Sequence, residues 1–214
     1  GTLEKWGLGY EDGLKEKFPK LIHCRVSGFG SDGPWGGHPG YDAIIQAMAG
    51  WFSINGEAGS KPTRLGLAMV DMGTGLYSAV AILMAMAERE QSQKGQYLDM
   101  TLYDCAVSLM HPHIPNYLYS GDVPVATGNA HPNISPYDTF RTKTVDIFVG
   151  AGNNRAYAKM CVELGREELI SDSRFLNNID RVTNRDDLKA EIESSLMKID
   201  GSEIADRLAN AGLA

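Results

Sequence analysis

Asp71 stands between an apolar run, Leu65-Gly66-Leu67-Ala68-Met69-Val70, and a glycine-rich stretch, Met72-Gly73-Thr74-Gly75, that leads into a long helical pattern. The pattern predicts a strand over 65–70 that delivers a carboxylate to a helix start. Asp is a favoured N-cap, because its oxygen satisfies orphan backbone N–H groups. A carboxylate just beyond the carboxyl end of a strand also lies where ligands gather in open α/β sheets. There it can act as a nucleophile toward a reactive partner. The local pattern supports both readings. Tyr41-Asp42 is a second candidate, opening a helix directly after a glycine-rich loop. Asp42 suits that place because a helix N-terminus favours negative charge.

Other motifs carry less. Gly28-Phe29-Gly30 with Gly33 matches part of a dinucleotide fingerprint, but Pro34 follows and no helix begins there. A sharply bent loop is the better reading. His111-Pro112-His113 near Cys105 lacks the i, i+4 pair of helical zinc sites, and no CxxC accompanies it, so no metal is expected. His131 sits in a loop and reads as a solvent group. Neither a G-x-S-x-G elbow nor a P-loop is present.

The elements that must position these residues alternate. A short helix over Tyr10–Phe18 ends at Pro19, and a strand follows at Leu21–Val26. Residues 28–40 are a Gly/Pro loop. Ile44, Ile45, Ala47, Met48 and Phe52 give Tyr41–Phe52 one apolar helical face. The strand before Asp71 leads to a helix over Gly75–Glu90, apolar on nearly all sides and therefore expected to be internal. A strand at Tyr97–Leu102 and a helix from Asp104 follow. Two strand–helix–strand crossovers favour a parallel sheet. Residues 122–135 are rich in Pro, Gly and Asn. Beyond them come a hairpin of Tyr137–Arg141 and Ile147–Ala151 and helices at Arg155–Leu164, Asp186–Met197 and Ser202–Ala211, with Asn184 and Ser202 as plausible caps.

Composition narrows the function classes. The 214-residue chain carries a formal net charge of −7 with 22% charged and 43% hydrophobic residues. Those proportions are ordinary for a soluble globular protein. So acidic a chain lacks the electrostatic footprint of a nucleic-acid binder. Three widely spaced cysteines, Cys24, Cys105 and Cys161, form no disulfide framework and suit a reducing cytoplasm. The most apolar stretch, Leu76–Ala87, is too short to span a bilayer, so no membrane partner is expected.

Taken together, several blocks resemble the class III CoA-transferase family, that of formyl-CoA transferase and carnitine CoA-transferase. They are Leu21–Gly30, Gly33-Pro34, Pro39-Gly40-Tyr41-Asp42, Gln46–Gly50, Gly56-Glu57, Val70-Asp71, Gly75-Leu76-Tyr77, Gly95–Asp99, Leu102-Tyr103-Asp104 and Gly128–Tyr137. The resemblance covers nearly the whole chain in order. It implies that Asp71 is a covalent nucleophile, passing through an aspartyl anhydride and an aspartyl-CoA thioester. It also implies that Tyr41 lies beside the thioester, that Asp42 supports the acyl intermediates, that Lys5 contacts CoA phosphate and that Leu102 belongs to the substrate-binding residues. Backbone N–H groups at Gly73–Gly75, expected at the helix N-terminus, would stabilise the developing oxyanions. Racemase relatives resemble Gly-His-Asp where this chain has Gly40-Tyr41-Asp42. A phenol, titrating near about 10, is a poor base at neutral pH, which disfavours epimerisation. The family's glycine-run loop is replaced here by Ile134-Ser135-Pro136-Tyr137, a departure from the formate and oxalate enzymes.

The resemblance implies an α/β fold: a partial Rossmann-like large domain with a parallel sheet over 1–110, a linker over 111–135 and a small α+β domain over 136–214. The chain is shorter than family members, which reads as a partial chain. The implied partners are an acyl-CoA, a carboxylic acid acceptor and a second copy in a homodimer. CoA thioester enters as substrate, so no resident cofactor is expected. The rival from another class is a non-catalytic interaction module that keeps Asp71 only as a cap.

Overall fold

The computed structural model describes residues 2–214, with Gly1 outside them. It divides into two units, Gly1–Ala126 and Thr127–Ala214. The first begins with α1 (Thr2–Lys5), a π-helical turn over Tyr10–Leu14 and α2 (Lys15–Lys17). The single helix expected over Tyr10–Phe18 is broken because Asp12 and Gly13 leave helical dihedrals. Strand β1 (His23–Ser27) follows, then a loop to α3 (Asp42–Ala49) and α4 (Trp51–Ile54). The helix expected over Tyr41–Phe52 is thus split at Gly50, which takes a left-handed conformation. Next come α5 (Met69–Ser92), β2 (Tyr97–Thr101), α6 (Leu102–Leu109) and α7 (His113–Ser120). Helix α7 occupies part of the segment expected as a linker.

Strands β1 and β2 pair in parallel, from His23↔Tyr97 to Ser27↔Thr101. The expected α/β class and parallel pairing hold. The strand expected over 65–70 does not form. Its residues are irregular up to Ala68, and α5 has already begun at Met69. One crossover therefore replaces the expected two. The physical reason is that buried side chains of α3 take the backbone groups a sheet ladder would have used.

Ile45, Val70, Leu102 and Ala106 form a small buried cluster, flanked by Phe29, Ala49, Trp51 and Tyr103. Burying each large aliphatic side chain stabilises by about 1.5–3 kcal/mol. The cluster locks α3, the first turn of α5 and the start of α6 to one another. Trp51 Nε1 adds a hydrogen bond to the Ala106 carbonyl, 3.1 Å away. Thr101 caps α6: its Oγ1 accepts from the Asp104 amide at 2.9 Å.

Helix α5 is not internal in this chain. Its buried residues are Val70, Gly73, Thr74, Ser78 and Ala85, while Leu76, Val80, Leu83 and Met84 are exposed. A Cβ on Gly73 would lie 2.4 Å from Leu109 Cδ1, so the inward face is small because α6 approaches it closely. Starting at Met69, α5 runs 24 residues and is long and apolar enough, by length and composition, to cross a membrane. The shorter stretch Leu76–Ala87 concealed that length.

The second unit carries strands β3 (Tyr137–Phe140) and β4 (Ile147–Gly150), antiparallel as expected, then α8 (Asn154–Glu163), a 3-10 turn over Glu167–Ile170, α9 (Asn178–Thr183), α10 (Arg185–Leu196) and α11 (Gly201–Asn210). Phe140, Val149, Met160, Phe175, Leu188 and Ile204 belong to its core. Asn184 does precede α10, but its side chain donates to the Arg174 and Asp180 carbonyls instead of capping. Helix α11 is capped by Asp200, not by Ser202, through the Ser202 and Glu203 amides.

Candidate active site

The site is built at the start of two helices. The loop between β1 and α3 returns on itself so closely that its ends leave no room for side chains. A Cβ on Gly28 would sit 2.6 Å from the Gly40 amide nitrogen, and one on Gly40 would sit 2.8 Å from Ile45 Cδ1. The Gly28 carbonyl also accepts from the Tyr103 amide at 3.1 Å. These glycines therefore serve a close backbone crossing, consistent with the bent-loop reading. The crossing delivers Tyr41 to the N-cap position of α3, where it is 78% exposed.

Asp42, one residue on, is 8% exposed and turned inward. Its Oδ2 accepts from the Val70 amide at 2.9 Å and from the Asp71 amide at 3.3 Å. Its Oδ1 accepts from Gln46 Nε2 at 2.6 Å. The residue that caps α5 is therefore Asp42, 28 residues before Val70 in the chain. The N-cap position itself is Ala68, which has no side-chain acceptor. The expectation that Asp71 could be the cap is corrected: it is the third helical residue, exposed, with its own amide held by Asp42. Negative charge in a first helical turn is electrostatically favoured.

Gln46 was missed by sequence reasoning, although it lies within a quoted motif. It is fully buried. Its Nε2 also donates to the Leu67 carbonyl at 3.1 Å, and its Oε1 accepts from the Leu65 amide at 3.1 Å. Asp42 and Gln46, one helical turn apart, thus hold Leu65, Leu67, Val70 and Asp71. The available signal was the i, i+4 polar pair on the helix face that also carries Ile45.

Gly73–Gly75 do not supply free amides. The Met72 amide already donates to the Ala68 carbonyl at 3.1 Å. Gly73, Thr74 and Gly75 therefore lie inside the helical ladder, where amides are paired. The orphan amides of this terminus are those of the first turn. Thr74 Oγ1 and Ser78 Oγ, both buried, donate to the carbonyls four residues back, at 2.7 Å each. Cys105 is buried beside Thr74, and desolvation pushes its thiol pKa up.

The structure links Asp42 to the Asp71 backbone through this hydrogen-bonded frame, while exposed Tyr41 adjoins Asp42 in the chain and takes no part in the frame's side-chain bonds. Leu102 sits in the apolar cluster beneath them, with Ile45 and Val70. Lys5 lies on exposed α1 and, among the described residues, enters none of the frame's hydrogen bonds. No group of three or more His, Cys, Asp or Glu able to hold a metal exists among the described residues.

The first unit thus carries two carboxylates, Asp42 and Asp71, at the start of α5, preceded by a pinned glycine loop. A profile of CoA-transferase family III matches residues 1–214, and the chain belongs to that family. It is 38% identical over 196 residues to a succinate–glutarate CoA-transferase of Agrobacterium fabrum, covering 92% of this chain and 49% of that protein. It is 32% identical over 214 residues to an acetyl-CoA:oxalate CoA-transferase of Acetobacter aceti, covering 100% of this chain and 55% of that protein. A CAIB/BAIF family protein from Brucella suis superposes with a TM-score of 0.75 at 40% identity, over 100% of this chain and 56% of the other. The chain thus spans about half the length of the curated relatives it matches.

Proposed function

We propose that the protein carrying this chain moves coenzyme A between carboxylic acids, with Asp71 as the covalent acceptor. The observation that carries this reading is the division of labour between two carboxylates. Asp42 is buried and saturated by the Val70, Asp71 and Gln46 donors, while Asp71 is exposed and relieved of capping. An exposed carboxylate on a rigid first turn is available to a substrate that arrives from solvent.

In the proposed sequence an Asp71 carboxylate oxygen attacks the thioester carbonyl. The C–S bond breaks and CoA leaves as thiolate, giving a mixed anhydride. The thiolate then attacks the aspartyl carbonyl of that anhydride, expelling the first acid as its carboxylate and leaving an Asp71–CoA thioester. A second carboxylate repeats the two steps in reverse and departs as the new acyl-CoA. Each intermediate is an activated acyl group, so one difficult exchange becomes several easier ones. Tyr41, exposed beside Asp42, would border the thioester. Leu102 would shape the floor through the cluster it fills, and Lys5 would meet a CoA phosphate. Coenzyme A arrives and leaves within the substrates, so the scheme needs no resident cofactor.

The names of the relatives support small dicarboxylic acids as the exchanging partners, succinate and glutarate among them. The three free cysteines support a reducing compartment, which we take to be the cytoplasm. The exposed apolar side of α5 supports burial against further protein, which we assign to a homodimer. The same face is what favours the rival reading, an interaction module without chemistry.

Intact-mass analysis after incubation with acetyl-, succinyl- and glutaryl-CoA, beside Asp71→Asn, tests the proposal. A hydroxylamine-labile adduct on the native protein alone is the expected result. Full-rate acyl exchange by Asp71→Asn refutes the nucleophile. Calorimetric titration with free CoA separates the module, which would not bind at millimolar concentration.

A further inference from the structure

We propose that Gln46 is a positioning residue for Asp71, fixing the turn that carries the carboxylate by bonding at once to Asp42, Leu65 and Leu67. The inference rests on the reading of Asp71 as the nucleophile.

Gln46 is the one fully buried polar residue of α3, and both ends of its amide are used. Its Oε1 accepts from the Leu65 amide, and its Nε2 bridges the Leu67 carbonyl and Asp42 Oδ1. The bonds run in two directions from one side chain. One set holds the irregular segment that enters α5. The other orients Asp42, whose second oxygen holds the Val70 and Asp71 amides. No other residue type of that length offers an acceptor and two donors without charge. A carboxylate nucleophile must sit within about 0.5 Å of its productive place, which requires locked supporting side chains. A displacement of about 1 Å far from the reacting atoms can lower a rate about 100-fold.

Gln46→Glu makes the frame titratable. Protonated, the new carboxyl keeps an acceptor for Leu65 and donates one hydrogen bond toward Asp42. Ionised, it meets Asp42 with no proton between them. Burial and the adjacent like charge raise its pKa above the ordinary range for Glu. The elements packed on α3 carry Asp71 and Tyr77 on the first turns of α5, and Tyr103, Asp104 and Cys105 on α6; α4 carries none. Asp104 is engaged by Thr101 and Cys105 by Thr74, and Arg64 precedes the anchored Leu65. Asp42 is therefore the charge that the new carboxyl faces directly.

The test measures kcat and KM for acyl exchange on the complete protein from about pH 5 to pH 8.5, for wild type, Gln46→Glu and Gln46→Met, with the Asp71 adduct followed by mass. The expected result is a kcat for Gln46→Glu within about 3-fold of wild type at the acid end and about 10–100-fold lower at the alkaline end, with KM unchanged. Gln46→Met, which keeps length without hydrogen bonds, should be lowered at every pH. A Gln46→Glu profile parallel to wild type, or a wild-type kcat in Gln46→Met, overturns the inference while leaving Asp71 as nucleophile. Absence of a wild-type adduct together with an active Asp71→Asn overturns the nucleophile reading, and this inference with it. If neither variant folds, amide exchange in the wild-type protein decides: slow exchange at Leu65, whose amide donates to Gln46, upholds the frame, and exchange there at unprotected rates overturns it.

Discussion

Removing Asp42 tests the frame on stability alone, with no substrate involved. In Asp42→Ala the Val70 and Asp71 amides lose their acceptor, and buried Gln46 Nε2 keeps only the Leu67 carbonyl. Loss of an N-cap costs about 1 kcal/mol, within about 0.5–2. Leaving a buried donor short of a partner adds about 1–3 kcal/mol. The expected destabilisation is therefore about 2–4 kcal/mol. Asp42→Asn keeps one acceptor for the amides but turns an NH2 group toward Gln46 Nε2, donor against donor. Gln46 cannot flip to relieve this without losing both Leu65 and Leu67, so about 1–2 kcal/mol is expected. All three tryptophans, Trp6, Trp35 and Trp51, lie in the first unit. Urea unfolding followed by tryptophan fluorescence therefore reports this unit. An Asp42→Ala protein within about 0.5 kcal/mol of wild type would mean that the trans cap contributes nothing, and would refute the reasoning.

Two glycines of α5 should respond with opposite sign: Gly73→Ala drives a methyl into Leu109 and should cost about 1–3 kcal/mol, whereas Gly75→Ala meets nothing within 4 Å and should stabilise by about 0.5–1 kcal/mol, both read from the same urea curves. Arg181 is fully buried, donates to the Ser135 and Phe175 carbonyls and to Asn154 Oδ1, and stacks 4.4 Å from the Tyr157 ring; burial pushes its pKa below the ordinary value. Arg181→Met should destabilise the second unit by about 2–4 kcal/mol in thermal unfolding, and Arg181→Lys should not rescue it, because a single ammonium cannot reach three divergent acceptors. Burial pushes the Glu193 pKa up, but the side-chain and backbone hydrogen bonds from Arg141 outweigh it and hold the carboxyl below its ordinary value. Its folded pKa is thus depressed, so its contribution is present above the unfolded value and is lost as pH falls through the lower folded value. Glu193→Gln should flatten that acid-side step in second-unit stability as pH falls below the ordinary carboxylate range, and an unchanged step would assign it to other carboxylates.

Much of the architecture is legible in the chain because its signals are local. The β3–β4 hairpin, the helices over 154–163, 185–196 and 201–210 and the parallel partners β1 and β2 follow from apolar period, turn residues and crossover length. The misreadings have separate physical causes. Leu65–Val70 has the composition of a buried strand, but Gln46 and Asp42, distant in sequence, claim its Leu65 and Val70 amides and its Leu67 carbonyl. The helix over Asn178–Thr183 leaves no period to read, because six residues give too few turns, and its cap, Asn177, is one of two adjacent asparagines. The inward face of α5 is glycine, threonine and serine, so hydropathy points at the wrong side of the helix.

Residue types and their order alone identified the family and singled out Asp71, Tyr41 and Asp42, because reactive groups and turn glycines are recognisable wherever they stand. Which of the two carboxylates caps α5 came only with the tertiary structure. A carboxylate's task depends on which amides reach it and how dry it is, and those are properties of neighbours. Asp42 and Asp71 carry the same side chain, 29 residues apart. Packing of Ile45 against Val70, Leu102 and Ala106 turns the first inward as a cap and leaves the second at the surface.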